Sequence, residues 1–214
     1  MQIPDFRPEH FGPLEAVHYT RFLDAVLKEN SATAEVASRP DQLSAVEDLL
    51  RRRYGWRGYA VPEGGKLVQP PSLHCVTLLA EGRPGLLGTL TVRPDSPEGL
   101  LAERTYPECI ENLRLEGHRV GELTKLAVEF GADWKAALDA LVRSAYVITR
   151  MVHALTDVVI EVNPRHVGVY RRIFGFVTLG AERVCARVGA PSVLMRLDLE
   201  AFGRRLPAAL ARAA

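Results

Sequence analysis

The spacing of apolar residues changes period several times along the chain, and each change marks an element. From Trp134 to Val152, apolar side chains recur at Trp134, Leu138, Leu141, Ala145, Ile148 and Val152. That is one face of a helix, with Lys135, Asp139 and Arg143 opposite and Asp133 as the expected N-cap. Pro40-Asp41 opens a second helix with Leu43, Val46, Leu49 and Leu50 on one face, running to about Tyr54. A third helix is predicted after Pro13, where Leu14, Val17, Phe22, Ala25 and Val26 form an irregular stripe. Runs of strand character fall at 33–37, 73–80, 86–92, 119–130 and 192–199, with the 73–80 and 86–92 runs joined by the turn-rich EGRPG as a hairpin. Residues 100–116 read as mixed helix and loop.

The stretch DVVIEVNPRHVGVYRRIFGF, residues 157–176, packs a complete strand–helix–strand unit into one segment. Val158 to Val162 is a β-branched run. Asn163 is placed as an N-cap, Pro164 at the first helical position, and Gly175 at the C-terminal stop before an apolar run starts at Phe176. The helix of three turns between them carries His166 and Tyr170 one turn apart. The predicted order is strand, helix, hairpin, long strand, helix, strand, helix and two closing strands, an α/β fold whose mixed sheet has helices on both faces. Residues 1–32 read as a helical N-terminal extension, 33–200 as the domain and 201–214 as a helical tail.

Composition narrows the class without naming a chemistry. With 214 residues, 47% hydrophobic and 25% charged, the chain is long enough for one substantial core. A net charge of +1 gives no general attraction to nucleic acid. Cys75, Cys109 and Cys185 are distant from one another and odd in number, which predicts reduced core thiols and no metal site. The N-terminus lacks a basic-then-apolar signal pattern, and no apolar run approaches ~18 residues, so a cytoplasmic protein without a transmembrane segment is expected.

The Asn, the Tyr seven residues on and the Gly-Phe of the 157–176 unit resemble the closing unit of the GNAT acyltransferase superfamily, as does the element order. GELTKLAVE at 121–129 resembles the central strand of the acyl-homoserine lactone synthases and the N-acyl amino acid synthases. YGWRGY at 54–59, EVNPRHVGVYRRIFGF at 161–176 and APSVLMRLDL at 190–199 resemble the N-acyl amino acid synthase (FeeM-like) branch more than the lactone synthases. The resemblance covers about 33–200, by motifs that are specific together and weak singly. It implies a GNAT-like, mostly antiparallel central sheet. It also implies transfer of a long-chain acyl group from an acyl carrier protein to the amine of an amino acid, with the carrier's phosphopantetheine thioester as co-substrate and no tightly bound cofactor.

That reaction needs a proton acceptor for the attacking amine, a site for the oxyanion and a proton or hydrogen bond for the leaving thiolate. Glu122 is the candidate acceptor, sharing a strand face with Thr124 unless a bulge intervenes; Thr124 and Lys125 stand beside it as substrate-binding candidates. Its alternative role is a structural pair with an arginine. The resemblance implies that backbone N–H groups over Leu126, Ala127 and Val128 meet the oxyanion and the pantetheine arm, as the equivalent GNAT strand end does, with Asn163 and Phe176 on the facing unit. The resemblance to the GNAT closing unit implies that Tyr170 stands at the thiolate. A phenol near pKa ~10 does not readily protonate a thiolate whose acid is near ~8.5, so a hydrogen bond to sulfur is the alternative. His166, one turn away, reads as a surface residue, with a second proton carrier as its other reading. Trp56 and Tyr59, in a Gly-punctuated loop, are candidate substrate covers.

Coenzyme A-dependent members of the superfamily hold a pyrophosphate on a Gly-rich loop at a helix N-terminus. Here that position reads EFGADW, 129–134, with one Gly and two carboxylates. This favours the single phosphodiester of a carrier protein, met by Lys135. Carrier proteins are acidic, so Arg143, Arg165, Arg171 and Arg172, with Arg150, are the expected docking face. Three other readings stay open: a coenzyme A-dependent N-acetyltransferase of a small amine, a lactone synthase using S-adenosylmethionine, and a non-catalytic acyl- or carrier-binding module.

Overall fold

A computed structural model describes residues 15–30, 32–55, 66–82, 85–131, 133–185 and 187–206. The elements run α1 (Glu15–Glu29), β1 (Glu35–Val36), α2 (Pro40–Gly55), β2 (Val76–Glu81), β3 (Leu86–Pro94), a 3₁₀ turn (Leu101–Arg104), α3 (Pro107–Leu115), β4 (Val120–Val128) and α4 (Trp134–Tyr146). After α4 come a π-helical turn (Val147–Val152), β5 (Asp157–Val162), a 3₁₀ turn (Pro164–His166), α5 (Val167–Phe174), β6 (Val177–Thr178), β7 (Arg183–Val184), β8 (Pro191–Asp198) and α6 (Leu199–Gly203). Among the described residues, no helix is long and apolar enough to cross a membrane.

The eight strands form one mixed sheet in the order β1-β2-β3-β4-β5-β8-β6, with β7 on β8. Every pairing is antiparallel except β4 with β5. Strand alternation sends Val120 and Val159 to the α3 side, where they pack with Ile110 and Leu113. On the opposite face, Val158 and Ile160 pack with Tyr146 of α4 and Phe202 of α6. Helices therefore cover both faces, as the pattern predicts.

The parallel pair is short. β4 and β5 are in register only over Val120↔Asp157, Gly121↔Val158 and Glu122↔Val159. Immediately beyond, β4 bulges: Thr91 faces Thr124 and Thr89 faces Ala127, so two β4 residues, Lys125 and Leu126, oppose Leu90 alone. Lys125 sits at φ 56, the left-handed region, which an L-residue enters only where surrounding contacts hold it. The bulge bends β4 while β5 stays zipped to β8 as far as Val162↔Val193. Past Glu122 the two central strands part.

The 157–176 unit forms much as its sequence dictates. Asn163 accepts a hydrogen bond from the Arg165 N–H at 3.2 Å, and Gly175 closes α5 at φ 88 with its N–H on the Tyr170 and Arg171 carbonyls. The predicted three-turn helix is shorter, because its first turn is 3₁₀ and leads into the eight residues of α5.

Three expectations need correction. α1 is present, but its buried face is Tyr19, Leu23 and Leu27, at spacings of four, while Val17 is 59% exposed. The face lies one row round from the expected stripe because the π turn offers Val147 and Ile148 to those residues. Asp133 precedes α4, but its backbone stands at φ −100, ψ 7 and its side chain caps nothing. The last strand ends at Asp198, whose carboxylate accepts the Ala201 N–H at 2.8 Å and starts α6 at Leu199.

Candidate active site

Where β4 and β5 part, they open a cavity of about 370 Å³. One side is hydrocarbon: Leu123, Val142, Val158, Ile160, Phe174 and Leu197 line it, with Leu199 and Phe202 from α6. The other carries Thr124, Lys125, Glu161, Cys185, Arg187 and Ser192. Asn163, His166 and Tyr170 come from the start of the closing helix. An apolar chamber with a polar cluster on one wall suits a ligand with a hydrocarbon tail and a charged or reactive head.

The polar wall is built by strand register. Glu122 and Glu161 stand on neighbouring strands and the same face, two residues out of step, with Arg187 reaching in from the turn before β8. The guanidinium Nη2 donates to Glu161 Oε2 at 2.7 Å and lies 3.7 Å from Glu122 Oε1. Ser192 Oγ donates to the second Glu161 oxygen at 2.8 Å, and Glu122 Oε2 accepts the Ala102 N–H at 3.1 Å. Glu122 is 1% exposed. Burial pushes its carboxyl above the ordinary range, and the Arg187 charge and Ala102 N–H offset this only in part. Burial acts on Glu161 too, but hydrogen bonds from Arg187, Cys185 and Ser192 outweigh it and hold that carboxyl below the usual value. The half-buried Lys125 is pushed down, chiefly by burial.

The candidates from the sequence divide by position. Thr124, Lys125, Leu126, Asn163, Tyr170 and Phe176 all line the cavity. Glu122 lies behind that lining and reaches it through Arg187. The Tyr170 ring packs against Phe174 and Phe176, each with centroids 5.9 Å away. The Glu129 N–H donates to Leu87 O at 2.7 Å, so alternation gives the Ala127 N–H to β3 and turns the Val128 N–H to the β5 side of β4, while the Val128 side chain packs on the core cluster with Leu141 and Leu90. Ala127 itself packs under α2 with Leu49 and Leu50.

Other candidates lie outside this chamber. Lys135 is exposed at the start of α4, its ammonium 5.7 Å from the Trp134 ring centre. Arg143 is tied to Asp139 at 2.5 Å one turn away. Arg165, Arg171 and Arg172 are exposed around α5, and Arg171 reaches Thr178 Oγ1 at 3.4 Å. Trp56 and Tyr59 lie outside the described residues. Glu129 is met by Arg52 at 3.0 Å and Arg53 at 3.8 Å, so the pair of carboxylates expected to repel a pyrophosphate reduces to Asp133.

Glu161, Arg187, Ser192 and Cys185 were not among the sequence candidates. Glu161 did leave a signal: a carboxylate inside the apolar run DVVIEV is rarely buried without a partner. Arg187 left none, since its turn has no periodicity.

Comparison with known proteins agrees with this geometry. The sequence model of the family described as N-acyl amino acid synthase FeeM matches residues 45–198. The structure of FeeM, an N-acyl amino acid synthase from uncultured soil microbes, superposes with a TM-score of 0.66 at 23% identity, over 79% of this chain and 96% of that one. BjaI, a CoA-dependent acyl-homoserine lactone synthase, follows at TM-score 0.51 and 16% identity, over 80% and 88%. A putative N-acetyltransferase from Lactobacillus plantarum gives 0.52 at 13%, over 78% and 97%. These likenesses identify the fold as GNAT-like. No curated protein matches in sequence.

Proposed function

The chain belongs to the N-acyl amino acid synthase FeeM family and is an N-acyltransferase; from that premise we propose that it moves a long-chain acyl group from an acyl carrier protein thioester to the amino group of an amino acid or similar amine. The observation that carries this reading is the parting of β4 and β5 over a chamber that is apolar on one side and charged on the other. The hydrocarbon side accepts the acyl chain, and the split brings its thioester between the two strands.

In this reading the amine, once deprotonated, attacks the thioester carbon directly. A C–N bond forms, the C–S bond breaks, and the carrier's thiolate leaves. The Leu126 and Val128 N–H groups stabilise the tetrahedral oxyanion. Glu122 takes the ammonium proton, directly or through water; a raised carboxyl pKa makes it a better match to that task than an exposed glutamate. Tyr170 donates a hydrogen bond to the departing sulfur.

Two features favour a carrier protein as donor. Residues 164–175 contain no acid, and Arg165, Arg171 and Arg172 form no salt bridge among the described residues, which leaves a basic face beside the cavity. Asp133 at the start of α4 has no cation paired with it in a salt bridge among the described residues and disfavours a second phosphate there. BjaI, CoA-dependent by its description, keeps coenzyme A as the rival donor. The test is to supply long-chain acyl carrier protein, the matching acyl-coenzyme A and acetyl-coenzyme A, each with the set of proteinogenic amino acids, and to identify products by mass spectrometry. N-acyl amino acids formed fastest from the carrier are expected. Efficient turnover of acetyl-coenzyme A with weak use of long chains would overturn the reading.

A further inference from the structure

The bulge in β4 decides where Lys125 goes. In an unbroken strand, position 125 would share the face of Leu123, which packs on the core beneath α4. Lys125 and Leu126 instead oppose Leu90 together, and Leu126 takes the place on that core. Lys125, at φ 56, is swung out to the polar wall, since a bulge re-aims the side chain it carries. There it lines the chamber where β4 and β5 part. Its ammonium has no hydrogen bond or salt bridge among the described residues. The groups that act on it are Glu122 on its own strand, Arg93 on β3, Arg187 from the turn before β8 and the Cys75 thiol ahead of β2. Arg187 is already committed to Glu161. Arg93, Lys125 and Arg187 therefore outnumber the acids Glu122 and Glu161 by one. A half-buried cation without an anion of its own is costly to keep unless something negative arrives beside it.

We propose that Lys125 is a catalytic residue of the acyl transfer: its ammonium donates a hydrogen bond to the thioester oxygen and stabilises the negative charge that collects there in the tetrahedral intermediate. This assignment rests on the acyl-transfer reading and adds a residue to it. As the amine nitrogen bonds to the carbonyl carbon, the C=O π electrons move onto the oxygen beside the ammonium. Glu122 has by then taken the ammonium proton of the acceptor, so the wall carries one negative charge fewer when the oxyanion forms. On collapse the oxygen returns its electron pair and the C–S bond breaks. The sulfur leaves as thiolate, the second N–H proton passes to water, and Lys125 keeps its own proton throughout. A cation fixed in place at a desolvated site acts most strongly where charge appears only in the transition state.

The test compares wild type with Lys125→Met and Lys125→Arg, which meet the same backbone strain at position 125, after thermal unfolding has shown that both fold. With long-chain acyl carrier protein and amino acid at saturation, Lys125→Met should lose about 10²- to 10³-fold in kcat, the usual effect of removing an oxyanion donor, with both KM values within about threefold. Burial lowers the Lys125 pKa from the ~10.4 of an ordinary lysine. Wild-type kcat should therefore fall on the alkaline side as the ammonium is lost, at a lower pH than an exposed lysine would give. Lys125→Arg stays charged and should keep part of the rate without that alkaline fall. An unchanged kcat in Lys125→Met would overturn the assignment while leaving acyl transfer intact. So would a loss carried by the acceptor KM, which marks a binding role. A rate that rises as Lys125 loses its proton, and vanishes in Lys125→Arg, would make it a base and overturn the assignment equally. If wild type acylates no amine from any donor, the functional reading falls and this assignment falls with it.

Discussion

Glu122 is held under opposing influences that make its role testable apart from its fit. Desolvation raises its pKa, while Arg187 and the Ala102 N–H resist the rise. In the unfolded chain it titrates near ~4.3. Because the folded pKa is higher, its contribution to stability is fully present below that value and is lost as pH climbs to the raised one. Glu122→Gln cannot ionise and can still accept from Ala102. Its melting temperature relative to wild type should therefore improve as pH rises across that window. Acyl transfer should fall by about 10²-fold or more if Glu122 accepts the amine's proton. Thermal scans from pH 4 to 8 beside initial rates read both effects, and a fully active variant would remove Glu122 from the chemistry. At this scale the sequence was informative where a residue's chemistry was unusual for its surroundings. A glutamate and a threonine on a central strand stood out, whereas Arg187 became visible only when β8 returned beside β5 and carried the preceding turn to the same wall.

At the scale of elements, α1 carries a pH-sensitive attachment. The Tyr19 hydroxyl lies 2.7 Å from His153 Nε2, joining α1 to the end of the π turn. Burial lowers the His153 pKa to about 4, helped by the nearby His74. Its unfolded value is near ~6.5, so the stability it supports is present above that pH and declines as pH falls toward 4. The loss should be on the order of 2 kcal/mol, allowing for the partial exposure of the site. Unfolding curves for wild type should weaken across this interval, and those of His153→Gln should lack that component; parallel curves would show that another group sets the acid limb. Elements were legible in proportion to how local their causes are. Asn163, Pro164 and Gly175 set the ends of the helical stretch 164–174 through the backbone beside them, so those ends followed from sequence, although its first turn is 3₁₀. The buried face of α1 depends on Val147 and Ile148, far along the chain, and the β4 bulge at Lys125 depends on Thr89 and Thr91 holding register on either side of it. Neither has a local signature. Asp133 looked like a cap because its type is right, yet its backbone at ψ 7 lies outside the extended region of an N-cap and its side chain makes no capping hydrogen bond.

Across the whole molecule, the short β4–β5 pairing does two things at once. It leaves β4 and β5 three paired positions on which to hold the two halves of the sheet together. It also leaves the apolar residues beyond them facing an opening rather than a neighbouring strand. A cavity of about 370 Å³ lies within the range of small-ligand sites, about 300–1,000 Å³. Its hydrocarbon side is shared by α4, β5, β8, α5 and α6, so chain-length preference is a property of how these elements enclose it, not of any one motif. Val142 is the informative position: it projects from α4 into the chamber, is partly buried, and packs against the cluster around Val158 and Ile160. Val142→Phe adds volume inside an existing void, so it should leave the fold intact, while a long acyl tail loses the space it occupies. Each methylene kept out of an apolar site forfeits about 0.8 kcal/mol, and crowding adds strain for whatever remains. Long-chain donors should therefore lose about 10- to 100-fold in kcat/KM, and four-carbon donors less than about threefold, moving the optimum to shorter chains. A chain-length series of acyl donors with one fixed amino acid measures this shift. An equal loss at every length would mean that the substitution disturbs the thioester end, and no loss at any length would mean that the acyl tail runs elsewhere.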